Sequence, residues 1–135
     1  MSNLANRGVV RVAVRAWVNG RPIFDDELAQ EAGPGLAEAR RSGKENEHFT
    51  TALDDLIDKE LMYQDAVKKL EKVNPKALEK MREYVDREFE KTLDRMREAK
   101  YPEQELRRVE PILRRMMERN IIATEYARSR VVPTV

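Results

Sequence analysis

The chain has 135 residues, enough for one domain or for one domain with an arm, and its 26 basic and 25 acidic residues leave a net charge of +1. This balance argues against a protein whose main task is to bind nucleic acid or an anionic membrane surface. The absence of cysteine excludes disulfides and thiolate chemistry. A charged fraction of 38% and a mean hydropathy of −0.74 are typical of long amphipathic helices with charged surfaces.

The first predicted element is a β-hairpin over residues 9–24. Apolar residues alternate with other types up to Asn19–Gly20, the dipeptide that a two-residue type I′ turn favours because both positions need positive φ. That turn predicts the cross-strand pair Ala16–Ile23, on the face that also carries Val14. The eight residues before the hairpin are predicted to be disordered, and they contain no signal peptide.

A short helix is predicted over residues 26–32, capped by the aspartate at position 25 or 26. Gly33–Pro34–Gly35 ends it. This stretch lacks the spacing and the following Lys–Ser/Thr of a phosphate-binding loop, so a turn is favoured. Residues 36–47 are predicted to form a second short helix and a mobile loop.

The central helix is predicted from about Glu47 to Lys72. Its apolar residues cover about half of its circumference, which is typical of a core helix. Glu60 and Gln64 lie one turn apart within this apolar half and are candidate buried polar residues. An unpaired buried carboxylate is costly, so we predict that Glu60 contacts a basic side chain or a backbone donor from the hairpin or the last helix. A carboxylate used in acid–base chemistry is the alternative, but it would need a second catalytic group that the pattern does not supply.

The next helix is predicted to begin at Asn74–Pro75, an N-cap followed by proline at N1, and to run to about residue 100. Its apolar stripe is narrow, and its other residues form charged pairs such as Glu83–Arg87. Methionine fills irregular cores and also lines surfaces that bind many sequences. The core is favoured for each single methionine, whereas the set suits an adaptable apolar groove. The candidate groove or interface residues are Met81, Val85, Phe89, Met96, Met116 and Met117.

The final helical region follows Tyr101–Pro102, and Pro111 is predicted to bend it or to split it just before the proline. The arginines between 107 and 119 allow an alternative interpretation as a nucleic-acid binder. Interspersed glutamates favour a solvated face over a track for phosphates. Residues 132–135 are predicted to be a linker toward a further domain.

The residues predict no catalytic group, no cofactor and no metal site. His48 is the single histidine, and without cysteine it cannot form a zinc site of ordinary composition. We predict that His48 is exposed near the start of the central helix.

Three stretches occur in a recognisable order. They are the hairpin Val18–Asn19–Gly20–Arg21–Pro22–Ile23–Phe24, the acidic helix start Asp25–Asp26–Glu27–Leu28, and the stretch Leu56–Ile57–Asp58–Lys59–Glu60–Leu61–Met62–Tyr63–Gln64–Asp65–Ala66. Together they resemble the N-terminal chaperone domain of the SurA-like, parvulin-type peptidyl-prolyl cis-trans isomerases. The resemblance covers residues 9–131.

The resemblance implies a mainly α fold in which an N-terminal β-hairpin is followed by a bundle of long amphipathic helices. It also implies a periplasmic or extracytoplasmic folding factor that holds unfolded or extended client polypeptides. This chain carries no isomerase segment, so we expect client binding without prolyl isomerase activity. The alternative is a structural helical domain that dimerises or anchors a larger protein.

The expected partners are client polypeptides and a second copy of the chain, with no nucleic acid and no metal. The homodimer is expected because the hairpin has an edge and the thin-striped helix lacks an obvious partner. Exchange of helices or of the terminal strand between the two chains is one form that this dimer can take.

Overall fold

Helices account for most of the chain in the computed structural model, which describes residues 13–131. The elements are β1 (Val14–Val18), β2 (Arg21–Phe24), α1 (Asp25–Ala32), α2 (Leu36–Arg41), α3 (Glu45–Val73), α4 (Pro75–Glu98) and α5 (Glu103–Val131). This order confirms the predicted mainly α class, with an N-terminal hairpin followed by long helices. The predictions for residues 1–12 and 132–135 lie outside the described residues. The chain divides into two compact units, Met1–Ile57 and Asp58–Val135, and the division falls within α3.

The hairpin turn has the predicted geometry. Asn19 and Gly20 both have positive φ, 50° and 81°, as a type I′ turn requires. The antiparallel register pairs Ala16 with Ile23 and Trp17 with Pro22, as the sequence predicts. The side chain of Ile23 is fully buried.

A β-bulge changes the start of β1. The register shifts between Val14 and Ala16, so that Val14 pairs with Phe24. One extra residue in a strand moves the residues beyond it to the opposite face. Val14 is therefore 39% exposed, and the prediction that it shares the buried face with Ala16 and Ile23 is wrong.

The start of α1 also differs from the prediction. Its N-cap residue is Phe24, no side chain caps the helix, and Asp25 is already the first helical residue. The Asp25 N–H donates to the carbonyl oxygen of Ala13 at 2.9 Å, and its carboxylate accepts a hydrogen bond from Arg15 Nε at 2.8 Å. Asp25 therefore ties the helix to the start of β1 instead of capping it.

The core of the first unit joins the hairpin to α1 and to the first half of α3. Its buried residues are Val18, Ile23, Leu28, Ala32, Ala52 and Leu56. The loop between α2 and α3 is shorter than predicted, because α3 already begins at Glu45.

His48 is half-buried, and the prediction that it is exposed is wrong. Its ring Nε2 donates to the carbonyl oxygen of Ala32 at 2.7 Å, at the end of α1. Gly35 has a φ of 79°, and a Cβ there would lie 3.2 Å from the His48 ring. The tight Gly33–Pro34–Gly35 turn thus makes room for the imidazole.

The second unit contains the rest of α3 together with α4 and α5. The side chain of Asn74 accepts a hydrogen bond from the Ala77 N–H at 3.2 Å, which confirms the predicted N-cap of α4. Two clusters of buried residues form its core. One consists of Tyr63, Ala66, Leu78, Ile122 and Ala123, and the other of Phe89, Leu93 and Leu106.

The helix α5 runs without interruption through Pro111, so the predicted split is wrong. Proline costs about 3 kcal/mol inside a helix because it removes one hydrogen bond and crowds the preceding turn. Residues on both sides of Pro111 contribute to the cluster around Phe89 of α4: Leu106 is one of its buried members, and Leu113 packs against it. This packing on both sides offsets the local penalty.

Candidate functional site

A group of polar side chains is buried between α3 and α5. Glu60 is 0% exposed and Arg119 is 2% exposed. Arg119 Nε donates to one carboxylate oxygen of Glu60 at 2.8 Å, and Gln64 Nε2 donates to the other at 2.7 Å. The basic partner predicted for Glu60 is therefore present, and it comes from the last helix.

A second contact joins the same two helices. The Tyr63 hydroxyl donates to the carboxylate of Glu118, the residue before Arg119. Glu60 and Tyr63 lie about one turn apart on α3, so two consecutive residues of α5 are held by one face of α3. Because Glu60 and Arg119 are shielded from solvent, this network can position helices but cannot contact a substrate.

Two of the candidate groove residues lie in the core. Val85 is 0% exposed and Phe89 is 4% exposed. Arg114 of α5 covers the Phe89 ring at 5.4 Å and also forms an ion pair with Asp86. Val85 and Phe89 therefore cannot contact a peptide in this conformation.

The four candidate methionines are partly buried and are not brought together. Met96 and Met117 pack against the cluster around Phe89, and Met81 packs against the cluster around Tyr63. Met116 is half-buried elsewhere on α5. Among the six candidates, Met81 is the residue that lines a pocket between α4 and α5.

This pocket is a shallow hollow between α4 and α5 with a volume of about 240 Å³. Met81 and Ile121 provide apolar surface, and Tyr84, which is 42% exposed, adds its ring. Lys80 and Glu125 complete the lining. The hollow thus combines apolar surface from two helices with one charged side chain of each sign.

Sequence reasoning did not identify Tyr84 or Ile121. Tyr84 is the aromatic residue on the otherwise charged surface of α4, and that exception was the available signal. Ile121 and Ile122 are consecutive, and successive helical residues point about 100° apart. Only one of them can face the core, and the structure buries Ile122 and leaves Ile121 half-exposed.

The β-hairpin presents a second exposed apolar site, in the first unit. Trp17, the single tryptophan of the chain, is 65% exposed. The pair that flanks a two-residue turn, Val18–Arg21, exchanges both backbone hydrogen bonds, so the next pair, Trp17–Pro22, exchanges none. The backbone groups of Trp17 therefore point away from β2, and the sheet has no third strand among residues 13–131.

Within the described part of the chain, no group of three or more His, Asp or Glu side chains is arranged to hold a metal ion. No helix of residues 13–131 has the length and apolar character needed to cross a membrane. Compared with protein-family models, with curated proteins and with solved structures, the chain matches none.

Proposed function

We propose that this chain is a chaperone module that holds extended apolar segments of unfolded polypeptides without catalysing a reaction on them. The order of hairpin, acidic helix start and central helix supports this proposal through the resemblance to SurA-like folding factors. That resemblance also carries the proposed extracytoplasmic location. The hairpin register agrees with the Val18–Asn19–Gly20 motif on which the resemblance depends.

The observation that carries the proposal is the hollow between α4 and α5. A protein that holds unfolded chains needs apolar surface that stays accessible while its own core is closed. Met81, Tyr84 and Ile121 meet this requirement because they are partly exposed beside buried residues such as Leu78 and Ile122. An extended segment could place one apolar side chain in the hollow while its backbone remains hydrated.

The test is suppression of aggregation of a urea-unfolded exported protein after dilution, measured by light scattering. The chain should lower the scattering in proportion to its concentration. Ile121→Asp, which places a charge in the hollow, should lose most of this effect, whereas Thr124→Asp at an exposed position of the same helix should keep it. Circular dichroism establishes that both variants are folded. Failure of the unmodified chain to reduce aggregation would refute the proposal.

The second candidate function is a structural dimerisation domain, and the edge of the hairpin favours it. Pro22 has no N–H, so the outer edge of β2 lacks a donor at this position. The outer edge of β1 keeps both backbone groups of Trp17. An edge of this kind accepts another strand, and pairing with β1 of a second copy would extend a two-stranded sheet, which is marginal alone, to four strands.

The intrinsic fluorescence of Trp17 tests this alternative, because no other tryptophan contributes. If β1 edges pair, dilution should lower the mass measured by light scattering and shift the emission of Trp17 to longer wavelength. Trp17→Pro should give a monomer, since it removes the outward N–H at a position that makes no hydrogen bond to β2. Trp17→Thr should still dimerise. A monomer at every concentration would exclude the dimerisation function and would leave the client-holding function untouched.

A further inference from the structure

Between Lys76 and Lys91, residues of each charge line up on the exposed surface of α4. Four acidic residues share one side of the helix at spacings of four, three and four: Glu79, Glu83, Asp86 and Glu90. Four basic residues share the adjacent side at spacings of four, seven and four: Lys76, Lys80, Arg87 and Lys91. We refer to these sets as the acidic stripe and the basic stripe. All eight residues are exposed.

The hollow lies beside the basic stripe. Lys80 lines it directly, and the guanidinium of Arg87 lies over the ring of Tyr84 at 5.8 Å. The predicted pair Glu83–Arg87 is not formed, because Arg87 turns toward Tyr84 instead. Among residues 13–131, neither Lys80 nor Arg87 forms an ion pair. Both cations therefore remain available to a ligand.

Negative charge near the hollow is already partly compensated. On the α5 side, Glu125 forms an ion pair with Arg128 at 3.6 Å. On the far side of α4, Asp86 is paired with Arg114. The uncompensated charge beside the hollow is therefore positive and belongs to α4.

The size of the hollow limits what it can hold. Pockets for cofactors and drug-sized ligands usually measure about 300–1,000 Å³. The hollow, at about 240 Å³, lies below this range and is open to solvent. One apolar side chain of a longer molecule is the occupant that fits this volume.

The spacing of the cations matches an extended peptide. Lys80 and Arg87 are seven residues apart, which is about 10 Å along the helix axis, and Tyr84 lies between them. In an extended peptide, alternate side chains point to one side, and the residues two before and two after a given residue are about 13 Å apart. The long side chains of lysine and arginine can span the difference.

We infer that the hollow binds a single apolar side chain of an extended peptide that carries acidic residues two positions before and two positions after it. The apolar side chain contacts Met81, Tyr84 and Ile121, and the two carboxylates meet Lys80 and Arg87. This inference rests on the proposed client-holding function and assigns to it a preferred class of client segment, acidic–x–apolar–x–acidic.

Three nine-residue peptides of glycine and serine with a central phenylalanine provide the test. The first has aspartates two positions before and after the phenylalanine, the second has lysines there, and the third has the aspartates directly beside the phenylalanine. Binding is followed by NMR through the methyl groups of Met81 and Ile121. Each exposed ion pair contributes up to a factor of about five, and the lysine peptide replaces both attractions with repulsion, so the first peptide should bind about tenfold more tightly than the second. The third should be weaker than the first.

Matched variants separate charge from apolar contact. Lys80→Glu and Arg87→Glu should each weaken binding of the first peptide by about fivefold and should strengthen binding of the lysine peptide. Lys44→Glu, at an exposed position in the other unit, should leave the affinity for the aspartate peptide and for the lysine peptide unchanged. Tyr84→Ala should weaken all three peptides, whereas Tyr101→Ala, which removes an exposed ring outside the hollow, should weaken none.

Equal affinity for the aspartate and lysine peptides, or methyl shifts that avoid Met81 and Ile121, would overturn the inference. Methyl shifts that depend on protein concentration without peptide would assign the hollow to a second copy and would overturn it as well. The proposed function is tested separately. If Ile121→Asp abolishes suppression of aggregation while Lys80→Glu and Arg87→Glu leave peptide binding unchanged, the chaperone function stands and the acidic preference fails.

Discussion

Arg119 on α5 and Glu60 on α3 form an ion pair that is almost entirely hidden from solvent, with 2.8 Å between Arg119 Nε and a Glu60 carboxylate oxygen. Burial of two charges costs free energy that their attraction does not always recover. Gln64 adds a hydrogen bond to the second carboxylate oxygen. A charged pair at this depth accepts only a matching partner, so it favours one alignment of α3 with α5 over others.

The first prediction concerns removal of one or both of these charges. Glu60→Leu and Arg119→Met should each lower the free energy of unfolding by about 3–5 kcal/mol, because each leaves the other charge buried without its counterpart. The double variant should lie within about 1 kcal/mol of the unmodified protein or above it. Urea unfolding followed by circular dichroism gives the three values. A double variant as unstable as either single variant would contradict this account.

A pair of glycine substitutions tests the hairpin turn. Gly20 has a φ of 81°, and a Cβ there would meet no atom within 4 Å, so Gly20→Ala should destabilise through backbone strain alone, by about 1 kcal/mol. Asparagine tolerates positive φ better than alanine does, so Gly20→Asn should destabilise the fold less than Gly20→Ala. Thermal unfolding provides the comparison, and an equal loss of stability for the two substitutions would refute it.

Replacement of Pro111 should stabilise α5. The helix already continues through this exposed position, so alanine adds the N–H that proline lacks within an existing helix. We expect Pro111→Ala to raise the free energy of unfolding by about 1–3 kcal/mol. Asn120→Ala, at another exposed position of the helix, measures the effect of helix propensity alone and should give about 0.5 kcal/mol or less. A loss of stability in Pro111→Ala would mean that the proline fits a bend that alanine cannot adopt.

The first turn of α5 predicts a local pH effect. A hydrogen bond from Arg108, together with its positive charge, lowers the pKa of Glu105 below the ordinary value for glutamate. Because the pKa is lower in the folded state, this contact stabilises the fold at neutral pH, and its contribution is lost as the pH falls through the pKa of the folded state. Arg108→Gln should raise the pKa of Glu105 toward its ordinary value, measured by carboxyl NMR titration. Arg107→Gln, at the neighbouring exposed arginine, should leave this pKa unchanged.

Local chemistry made several features predictable. Asn19–Gly20 specifies a type I′ turn because both residues accept positive φ. This turn then fixes the strand register that pairs Ala16 with Ile23. Asn74–Pro75 specifies the start of α4 through local hydrogen bonding. The Asn74 side chain accepts from an N–H of the first turn, and Pro75 has no N–H that needs a partner. These signals act within a few residues and depend little on the rest of the fold.

The errors arose where contacts distant in the sequence prevail over local preference. Asp25 has an ideal capping side chain, yet Arg15 of β1 binds its carboxylate and Ala13, just before β1, accepts from its N–H. Leu93 of α4 is not among the candidate apolar residues named from the sequence, yet it is 2% exposed, because it belongs to the same buried cluster as Leu106 of the following helix. At Pro111 as well, distant contacts prevail over local preference, because packing on both sides of the proline keeps the helix continuous.

At the candidate site, the residue types follow from the amino-acid pattern: methionines on thin apolar stripes, a buried carboxylate in need of a cation, and charges spaced along α4. Which of these side chains are accessible depends on how the helices pack. Phe89 and Met81 have similar patterns in the sequence, but the pairing of α4 with α5 covers Phe89 and leaves Met81 beside Tyr84 and Ile121. The physical reason is that periodicity specifies which face of a helix is buried, whereas the neighbour that covers that face is specified by packing between distant segments.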